Sequence, residues 1–182
     1  MKKAALILVF LCTSGPARAA DFFLFSAGAS YMKHADASYR ATYGRGAVQP
    51  EFEFGVRVYR SLYVMGGYGT ISRSGKIPDL GFDSHSTQSY LSAGLGFIDV
   101  IWGMLKFKLE AGLADMMYTE DALGSRFSGY KLGYQAEAGL LVTGKIVFAE
   151  INVGYIAASD TIGSVKFKLG GTRIGLLAGI RL

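Results

Sequence analysis

Cysteine, proline and histidine are scarce in this 182-residue chain. The single cysteine is Cys12, there are three prolines, and the two histidines are His34 and His85. Disulfides need paired cysteines, so the region after residue 20 cannot be cross-linked in that way. Two histidines without a cysteine make no metal-binding motif, and we expect neither a metal nor another cofactor. After residue 20, no apolar run approaches the roughly 20 residues that a membrane-spanning helix needs.

The first twenty residues have the features of a secretory signal peptide. A basic start is followed by an apolar run, 4–12, and by the small residues Ala17 and Ala19. This combination predicts cleavage after Ala19 or after the alanine that follows it. The apolar run is too short for an uncleaved membrane anchor. We therefore divide the chain into a signal peptide, 1–20, and one domain, 21–182.

The predicted domain carries little net charge. The whole chain has a formal charge of +5, and the first twenty residues contain three cations and no acid, which leaves +2. A balance so close to neutral gives no reason to expect a nucleic-acid partner.

A two-residue period runs through the stretch 105–114. Its apolar phase is Leu105, Phe107, Leu109, Ala111 and Leu113, and its other phase carries Lys106, Lys108 and Glu110. Such a period places side chains on opposite faces of an extended strand. Similar alternation predicts strands at 23–31, 50–59, 62–71, 88–97, 105–114, 130–142, 147–155 and 172–182. No helix of useful length is predicted.

The predicted connections alternate between long and short. Four polar loops are expected at 34–48, 73–86, 119–128 and 158–164. Three short turns are expected at Arg60–Ser61, 98–103 and 143–145. This asymmetry places the turns at one end of the strands and the loops at the other, as in membrane barrels.

These strands could form a barrel in either of two arrangements. A soluble barrel would hold its apolar residues inside and its charges outside. A membrane barrel would do the reverse. The apolar faces of the last four strands carry no charge over their central spans, and soluble proteins avoid exposing so large an apolar surface. We therefore predict an all-β, eight-stranded antiparallel up-and-down transmembrane β-barrel, whose lumen is narrow enough to be filled by side chains.

The polar phase of the strands carries five carboxylates and six cations. In a narrow lumen these groups could pair, as buried charges require. The predicted lumen charge network comprises Glu51, Glu53, Arg57, Lys106, Lys108, Glu110, Lys131, Glu137, Glu150, Arg173 and Arg181. Aromatic residues near the predicted strand ends are expected at the membrane interfaces, namely Tyr31, Tyr68, Trp102, Tyr118, Tyr130 and Tyr155.

With this pattern, residues 21–182 resemble the small outer-membrane barrels of the OmpA transmembrane-domain and OmpX type. The last strand alternates as theirs does, through Ile174, Leu176, Ala178, Ile180 and Leu182, although Leu182 stands where an aromatic residue is usual. The resemblance implies location in the outer membrane of a Gram-negative bacterium and recognition of the C-terminal strand by the barrel assembly machinery. It also implies a role in envelope structure, adhesion or host interaction, exerted through the four loops.

Two further functions remain as alternatives to a structural or surface-interaction role. Some outer-membrane barrels are lipid A acylhydrolases or acyltransferases, and His85, Ser86 and Asp83 supply the residue types of such a site. Because a triad depends on geometry rather than adjacency, we favour a solvated loop histidine and no enzymatic activity. A small closed or narrow pore is the third alternative.

The predicted loops also carry five cations that could contact lipopolysaccharide phosphates by charge-assisted hydrogen bonds. They are Arg40, Arg45, Arg73, Lys76 and Arg126. Scattered solvated charges are the simpler interpretation, because exposed ion pairs contribute little. We expect a monomer.

Overall fold

The computed structural model describes residues 22–78, 80–162 and 165–182. The predicted signal peptide lies outside these described residues. Eight antiparallel strands pair in sequence order, and β8 pairs with β1 to close a barrel. The strands are β1 Phe23–His34, β2 Gly46–Tyr59, β3 Leu62–Lys76, β4 Asp83–Trp102, β5 Leu105–Ala122, β6 Ser125–Thr143, β7 Val147–Ile162 and β8 Val165–Arg181. The predicted all-β, eight-stranded antiparallel barrel is confirmed.

The two ends of the barrel differ. At the end that we call the turn rim, β2–β3, β4–β5 and β6–β7 connect through short turns, and Phe23 and Leu182 exchange backbone hydrogen bonds of 2.9 Å. At the other end, the hairpin rim, the remaining four pairs of strands connect. The β5–β6 connection there is only Leu123 and Gly124, both with positive φ, as tight hairpin turns require.

Three of the four predicted loops are largely strand. The segments 73–86, 119–128 and 158–164 fall mostly within hairpins that carry the sheet beyond the predicted strand ends. Their outward faces are polar, and Ser74 contacts His85 at 3.1 Å within the first of them. Next to that segment, hydroxyl pairs join β3 and β4, Thr70–Ser89 at 2.8 Å and Ser72–Thr87 at 3.1 Å. The predicted turn at 98–103 was also too long, because β4 runs to Trp102. Polar residues on both faces conceal the two-residue period.

The segment between β1 and β2 contains a helix, α1, Ala37–Tyr43. Asp36 caps its start by accepting a 2.9 Å hydrogen bond from the Tyr39 N–H. Gly44, with φ of 89°, ends it. The expectation of a loop over 34–48 was wrong here, because seven residues are too few to show a helical period. No helix in the described part of the chain is long and apolar enough to cross a membrane.

The barrel's outward face carries an apolar belt. Leu109, for example, is 52% exposed, whereas Lys108 beside it is 1% exposed. The belt includes Phe25, Phe54, Val64, Leu95, Leu109, Leu140, Ile151 and Leu176. This is the orientation predicted for a membrane barrel, and it contradicts the soluble alternative. Of the expected interfacial aromatics, Tyr118 is misplaced, since its side chain is buried inside the barrel.

Inside the barrel, polar and apolar side chains form layers. A turn-side apolar cluster comprises Leu24, Tyr63, Met65, Ile98, Leu141 and Phe148. A hairpin-side apolar cluster comprises Met32, Ala47, Ile71, Tyr90, Ala114, Met116, Tyr118, Ile156 and Leu169. Along β7 the inward residues are, in order, Phe148, Glu150, Asn152, Gly154 and Ile156, so the charged Glu150 lies between the two clusters.

Candidate functional site: the charged layer and the hairpin rim

The charged layer is a group of buried ionisable side chains on five of the eight strands. Its carboxylates are Glu51, Glu53, Glu110, Glu137 and Glu150, and its cations are Lys108 and Arg173. All seven occupy inward positions of their strands because successive side chains alternate between the two faces. The structure thus brings together seven of the eleven residues predicted for the lumen network.

Lys108 lies at the centre of one half of the layer. Its Nζ atom lies 2.6 Å from Glu53 Oε2, 2.7 Å from Glu137 Oε1 and 2.5 Å from Glu150 Oε1. One ammonium group therefore faces carboxylates from three strands, β2, β6 and β7. These contacts connect opposite sides of the barrel wall through its interior.

Arg173 holds the other half together. Its guanidinium contacts Glu51, Glu137 and the Tyr90 hydroxyl, and lies 4.0 Å from Glu53 Oε1. The Tyr90 hydroxyl also donates a 3.0 Å hydrogen bond to Glu51. The ring of Tyr90 occupies the space above Gly69, where an added Cβ would come within 2.5 Å of it. Glycine at this position therefore lets Tyr90 reach the layer.

Three carboxylates of the layer satisfy the distances of a metal site. Oxygens of Glu51, Glu53 and Glu137 lie within 4.8 Å of one another. The guanidinium of Arg173, however, faces all three. This side chain already supplies the positive charge that a metal would bring, so we assign no metal here.

The other four residues of the predicted network lie elsewhere. Arg57, Lys106 and Arg181 lie on the turn-rim side of the layer, and Arg181 donates a 2.6 Å hydrogen bond to the Gly144 carbonyl. Lys131 lies at the hairpin rim, 3.1 Å from Asp160. The eleven predicted residues nearly balance in charge, but the layer does not, because it holds five carboxylates and two cations.

Sequence reasoning missed the polar partners of the layer. Gln135 donates a 2.5 Å hydrogen bond to Glu110, and Tyr90 bridges Glu51 and Arg173. Both residues share the inward phase of their strands, which is the signal that could have included them.

Helix α1 closes the barrel at the hairpin rim. The Tyr43 hydroxyl contacts Ser84 and lies 3.0 Å from Glu120. Arg73 donates a 3.1 Å hydrogen bond to the Tyr43 carbonyl. The helix approaches Gly75 so closely that a Cβ there would lie 2.0 Å from the Thr42 carbonyl oxygen. These contacts attach α1 to the inner faces of β3, β4 and β5.

His34 is buried beneath this helix, with 2% of its surface exposed. Its ring lies 4.4 Å from that of Tyr39, centroid to centroid. Burial, followed by the positive charges of Arg73 and Arg40, lowers the pKa of His34 from 6.5 to about 4. The imidazole is therefore neutral at pH 7 in the folded protein.

A gap opens in the barrel wall between β6 and β7 at the hairpin rim. Their pairing stops at Tyr134 and Ala157, although β6 continues outward from Gly133 to Ser125. Asp160 spans the gap by pairing with Lys131 and accepting a 2.8 Å hydrogen bond from Tyr118. Although burial opposes it, hydrogen bonds from Thr161, Tyr118 and Lys131 lower the pKa of Asp160. Within the described part of the chain, the outer half of β6 thus has a free edge.

The candidate catalytic pair is separated by the sheet. His85 lies on the outward face, where its ring nitrogens contact the hydroxyls of Ser72 at 3.0 Å and Ser74 at 3.1 Å. Ser86 points inward and is 2% exposed. Neighbouring residues of a strand face opposite sides, so His85 cannot activate the Ser86 hydroxyl. The structure therefore contradicts this pairing.

The five predicted lipopolysaccharide contacts divide into two groups. Arg40 donates hydrogen bonds of 2.9 and 2.8 Å to the carbonyls of His34 and Ala35, and Arg73 binds the Tyr43 carbonyl. Both arginines therefore stabilise the α1 segment. The remaining three, Arg45, Lys76 and Arg126, are exposed, and Arg126 lies 3.7 Å from Asp121.

Comparison with known proteins supports the fold only. No protein-family model and no curated protein sequence matches the chain. Among solved structures, the chain is similar to the outer membrane protein OprG from Pseudomonas aeruginosa, with a TM-score of 0.71 and 13% identity over 90% of this chain and 96% of that one.

Two further structures share this architecture. Ail, the attachment invasion locus protein of Yersinia pestis, in complex with the heparin analogue sucrose octasulfate, gives a TM-score of 0.59 and 15% identity over 88% and 97% of the two chains. Neisserial surface protein A gives a TM-score of 0.58 and 18% identity over 90% of this chain and 97% of that one. The fold is that of small eight-stranded outer-membrane barrels, as the sequence predicted.

Proposed function

We propose that this chain is a monomeric outer-membrane protein of a Gram-negative envelope, closed to solutes and acting through the surface that it presents outside the cell. The observation that carries the proposal is the combination of an apolar belt outside with a sealed charged layer inside. Such a molecule is stable only where acyl chains surround the belt. The hairpin rim then faces the exterior, and the turn rim faces the periplasm.

The export route follows from the same assignment. The basic and apolar start of the chain would direct it across the inner membrane as a signal peptide. The alternating C-terminal strand β8 would then be recognised by the barrel assembly machinery. In the completed barrel β8 pairs with β1 over Leu24–His34, so assembly would end with this closure.

The interior supports a structural role rather than transport. Two apolar clusters enclose the charged layer, and α1 covers the hairpin side. A hydrated ion would have to displace packed side chains and break the contacts of Lys108 and Arg173. We therefore expect no steady conductance in planar bilayers. Stable single-channel steps would favour the narrow-pore alternative instead.

The hairpin rim supports an interaction role. Strands β3 to β6 continue together past the belt as a four-stranded sheet, with Lys76 paired to Asp83 and Ala122 to Ser125. Helix α1 covers the β3 side of this sheet through Arg73, while the β6 edge is free over 125–133. A free edge offers unpaired backbone groups to an added strand. We propose this edge as the surface for an extended segment of a partner.

We propose no enzymatic activity. Without the His85–Ser86 pair, the lipid A-modifying alternative loses the residues on which it depended. We also propose that the protein needs no cofactor and has no nucleic-acid partner. Lipid and lipopolysaccharide of the outer membrane would surround it.

Thiol labelling in intact cells tests the location and the orientation together. The predicted mature chain has no cysteine, so Ser125→Cys and Lys145→Cys give single-thiol proteins at opposite rims. We expect a membrane-impermeant maleimide to label Ser125→Cys in intact cells, and Lys145→Cys only after the outer membrane is permeabilised. Equal labelling of both, or recovery of folded protein without detergent, would contradict the proposal. Heat-modifiable migration on gels checks that each variant forms the barrel.

A further inference from the structure

Helix α1 is held at the hairpin rim by a small number of contacts. Its seven residues are too few to form a stable helix in isolation, so its position depends on the barrel beneath it. Ser38 lies on its exposed side, and the two tyrosines lie on the other. The Tyr39 side chain lies next to Ser86, and the Tyr43 hydroxyl contacts Ser84. The helix therefore covers the inner face of β4 at this rim.

The imidazole of His34 lies beneath the helix without a polar partner. It is 2% exposed, and neither ring nitrogen has a hydrogen-bond partner among the described residues. On β1 the last outward apolar residue is Tyr31, and His34 comes after it, so this histidine lies above the apolar belt. An imidazolium needs two acceptors, because both of its nitrogens carry a proton. Protonation of His34 would therefore place a charge where nothing solvates it.

The charges that act on His34 have the wrong sign to stabilise an imidazolium. They are the guanidinium groups of Arg73 and Arg40. Both arginines also hold the helix, because Arg40 donates hydrogen bonds to the His34 and Ala35 carbonyls and Arg73 donates one to the Tyr43 carbonyl. A protonated His34 would thus be a third cation beside the two groups that attach α1.

The carboxylates near the helix are already engaged. Asp36 accepts hydrogen bonds from the backbone N–H groups of Tyr39 and Lys168, and Glu120 accepts one from the Tyr43 hydroxyl. None of the carboxylates in the described part of the chain forms an ion pair with His34. The phenols of Tyr39 and Tyr43 are neutral in acid. In the adjoining segments 45–49 and 165–170, which flank β1, the charged residues are all cations, namely Arg45, Lys166 and Lys168.

We propose that α1 is a proton-operated lid, which protonation of His34 releases from the hairpin rim while the barrel beneath stays closed. Release lets water solvate the imidazolium. It also uncovers the inward side chains of Ser84, Ser86 and Glu120. The hairpin-side apolar cluster and the charged layer lie below these residues and keep the lumen sealed. The lid adds regulation to the proposed surface role, and it does not depend on that role because its contacts lie above the belt.

The size of the effect follows from two protonation equilibria. Burial, followed by the charges of Arg73 and Arg40, lowers the pKa of His34 from 6.5 to about 4 while the lid is closed. In the released state the solvated imidazole has its ordinary pKa of about 6.5. Closure is therefore most favourable above pH 6.5 and weakens as the pH falls from 6.5 towards 4. The ratio of released to closed protein should rise by about twentyfold between pH 7 and pH 5.

Single cysteines report the position of the helix. The predicted mature chain has none, so each variant carries one thiol. Ser86→Cys is buried under the lid, whereas Ser38→Cys is exposed on α1 and corrects for the pH dependence of the thiol reaction. Ser92→Cys is also buried and lies deeper on β4. Each protein is refolded in detergent micelles and labelled with a maleimide at pH 7, 6 and 5, and heat-modifiable migration verifies that it is folded.

We expect the labelling rate of Ser86→Cys, relative to that of Ser38→Cys, to rise by about twentyfold between pH 7 and pH 5, because the buried thiol reacts only in the released state. This ratio should stay nearly constant when His34→Phe or His34→Gln is added, since neither side chain takes up the proton. His85→Gln removes the other histidine, which is exposed on the outward face, and should leave the rise intact. Ser92→Cys should remain unlabelled throughout.

A constant ratio in the protein that retains His34 would overturn the inference. An equal rise in both His34 variants would do the same, because another group would then control the helix. Labelling of Ser92→Cys at pH 5, or loss of the heat-modifiable form, would show that the whole barrel opens and would also refute the lid. Because the measurement uses micelles, its outcome is separate from that of thiol labelling in intact cells, which tests the proposed location.

Discussion

Replacing Lys108 with methionine removes the ammonium group from the charged layer and keeps an unbranched side chain of similar length. That ammonium lies 2.5–2.7 Å from carboxylate oxygens of Glu53, Glu137 and Glu150. In Lys108→Met, Arg173 would remain as the one cation of the layer as we defined it, facing five carboxylates. We therefore expect a large fall in the free energy of unfolding.

The expected loss follows from the number of contacts and from their burial. Removing one partner of a buried ion pair typically costs about 3–5 kcal/mol. Lys108 is 1% exposed and its ammonium group contacts three carboxylates, so a value of about 4 kcal/mol or more is expected. With an m-value of about 2 kcal/mol per molar urea, the unfolding midpoint would fall by roughly 2 M.

Urea unfolding in lipid vesicles measures this difference, with heat-modifiable migration and the fluorescence of the single tryptophan, Trp102, as two signals. Lys131→Met is the matched control. Lys131 also pairs with a carboxylate, Asp160 at 3.1 Å, but its side chain is 46% exposed. Exposed pairs contribute about 1 kcal/mol or less. Indistinguishable midpoints for Lys108→Met and the wild type would refute the reasoning.

Three further predictions concern the interior and the hairpin rim. Gly69→Ala should lower stability by about 1–3 kcal/mol, since its methyl group would meet the Tyr90 ring at 2.5 Å. Gly144→Ala, with its nearest contact at 3.3 Å, should lower it by less in the same urea assay. Hydrogen exchange should show unprotected amides along the free edge of β6 at 125–133, and full protection there would remove the edge from the proposal. The lowered pKa of His34 means that the unfolded chain takes up a proton first below pH 6.5, so stability should fall as the pH drops toward about 4, by about 2 kcal/mol at pH 5. His34→Phe should abolish this part of the pH dependence of the urea midpoint, and an unchanged dependence would contradict it.

The strands were predictable wherever the barrel has an apolar belt. At 105–114 the outward residues are apolar and the inward residues are charged or small, so the sequence shows a clear two-residue period. That period also predicted that Lys108, Glu137 and Arg173 point inward, because alternate residues of a strand point to opposite faces. The closure of eight such strands then follows from their number and connections.

The hairpin rim could not be predicted in the same way. Beyond the belt the outward face carries hydroxyl groups such as Ser72 and Ser74, and the inward face is polar as well, so no period remains. Strand pairing there depends on cross-strand contacts that sequence does not display. The short helix α1 is likewise held by tertiary contacts of Tyr43 and Arg73 rather than by a pattern of its own.

Whether a residue joins the charged layer depends on its position along the barrel axis as well as on whether its side chain points inward. Lys131 and Lys108 share an inward phase, but Lys131 lies near the rim and pairs with Asp160. Tyr118 was expected outside and lies inside, bonded to the same Asp160. Height along the barrel is set by the register between strands, which the sequence of one chain does not reveal.

The most direct test of the central claim is a spin-label scan of β5 from Leu105 to Ala114 in lipid vesicles. Each position is replaced in turn by cysteine, labelled with a nitroxide, and measured for collision with oxygen and with a water-soluble nickel complex. We predict that oxygen accessibility alternates, with maxima at Phe107, Leu109, Ala111 and Leu113, and that Lys108 and Glu110 positions are accessible to neither reagent. Maxima for the nickel complex at positions 108 and 110 would show a water-filled lumen, and oxygen maxima there would show a reversed barrel; either result would contradict the account.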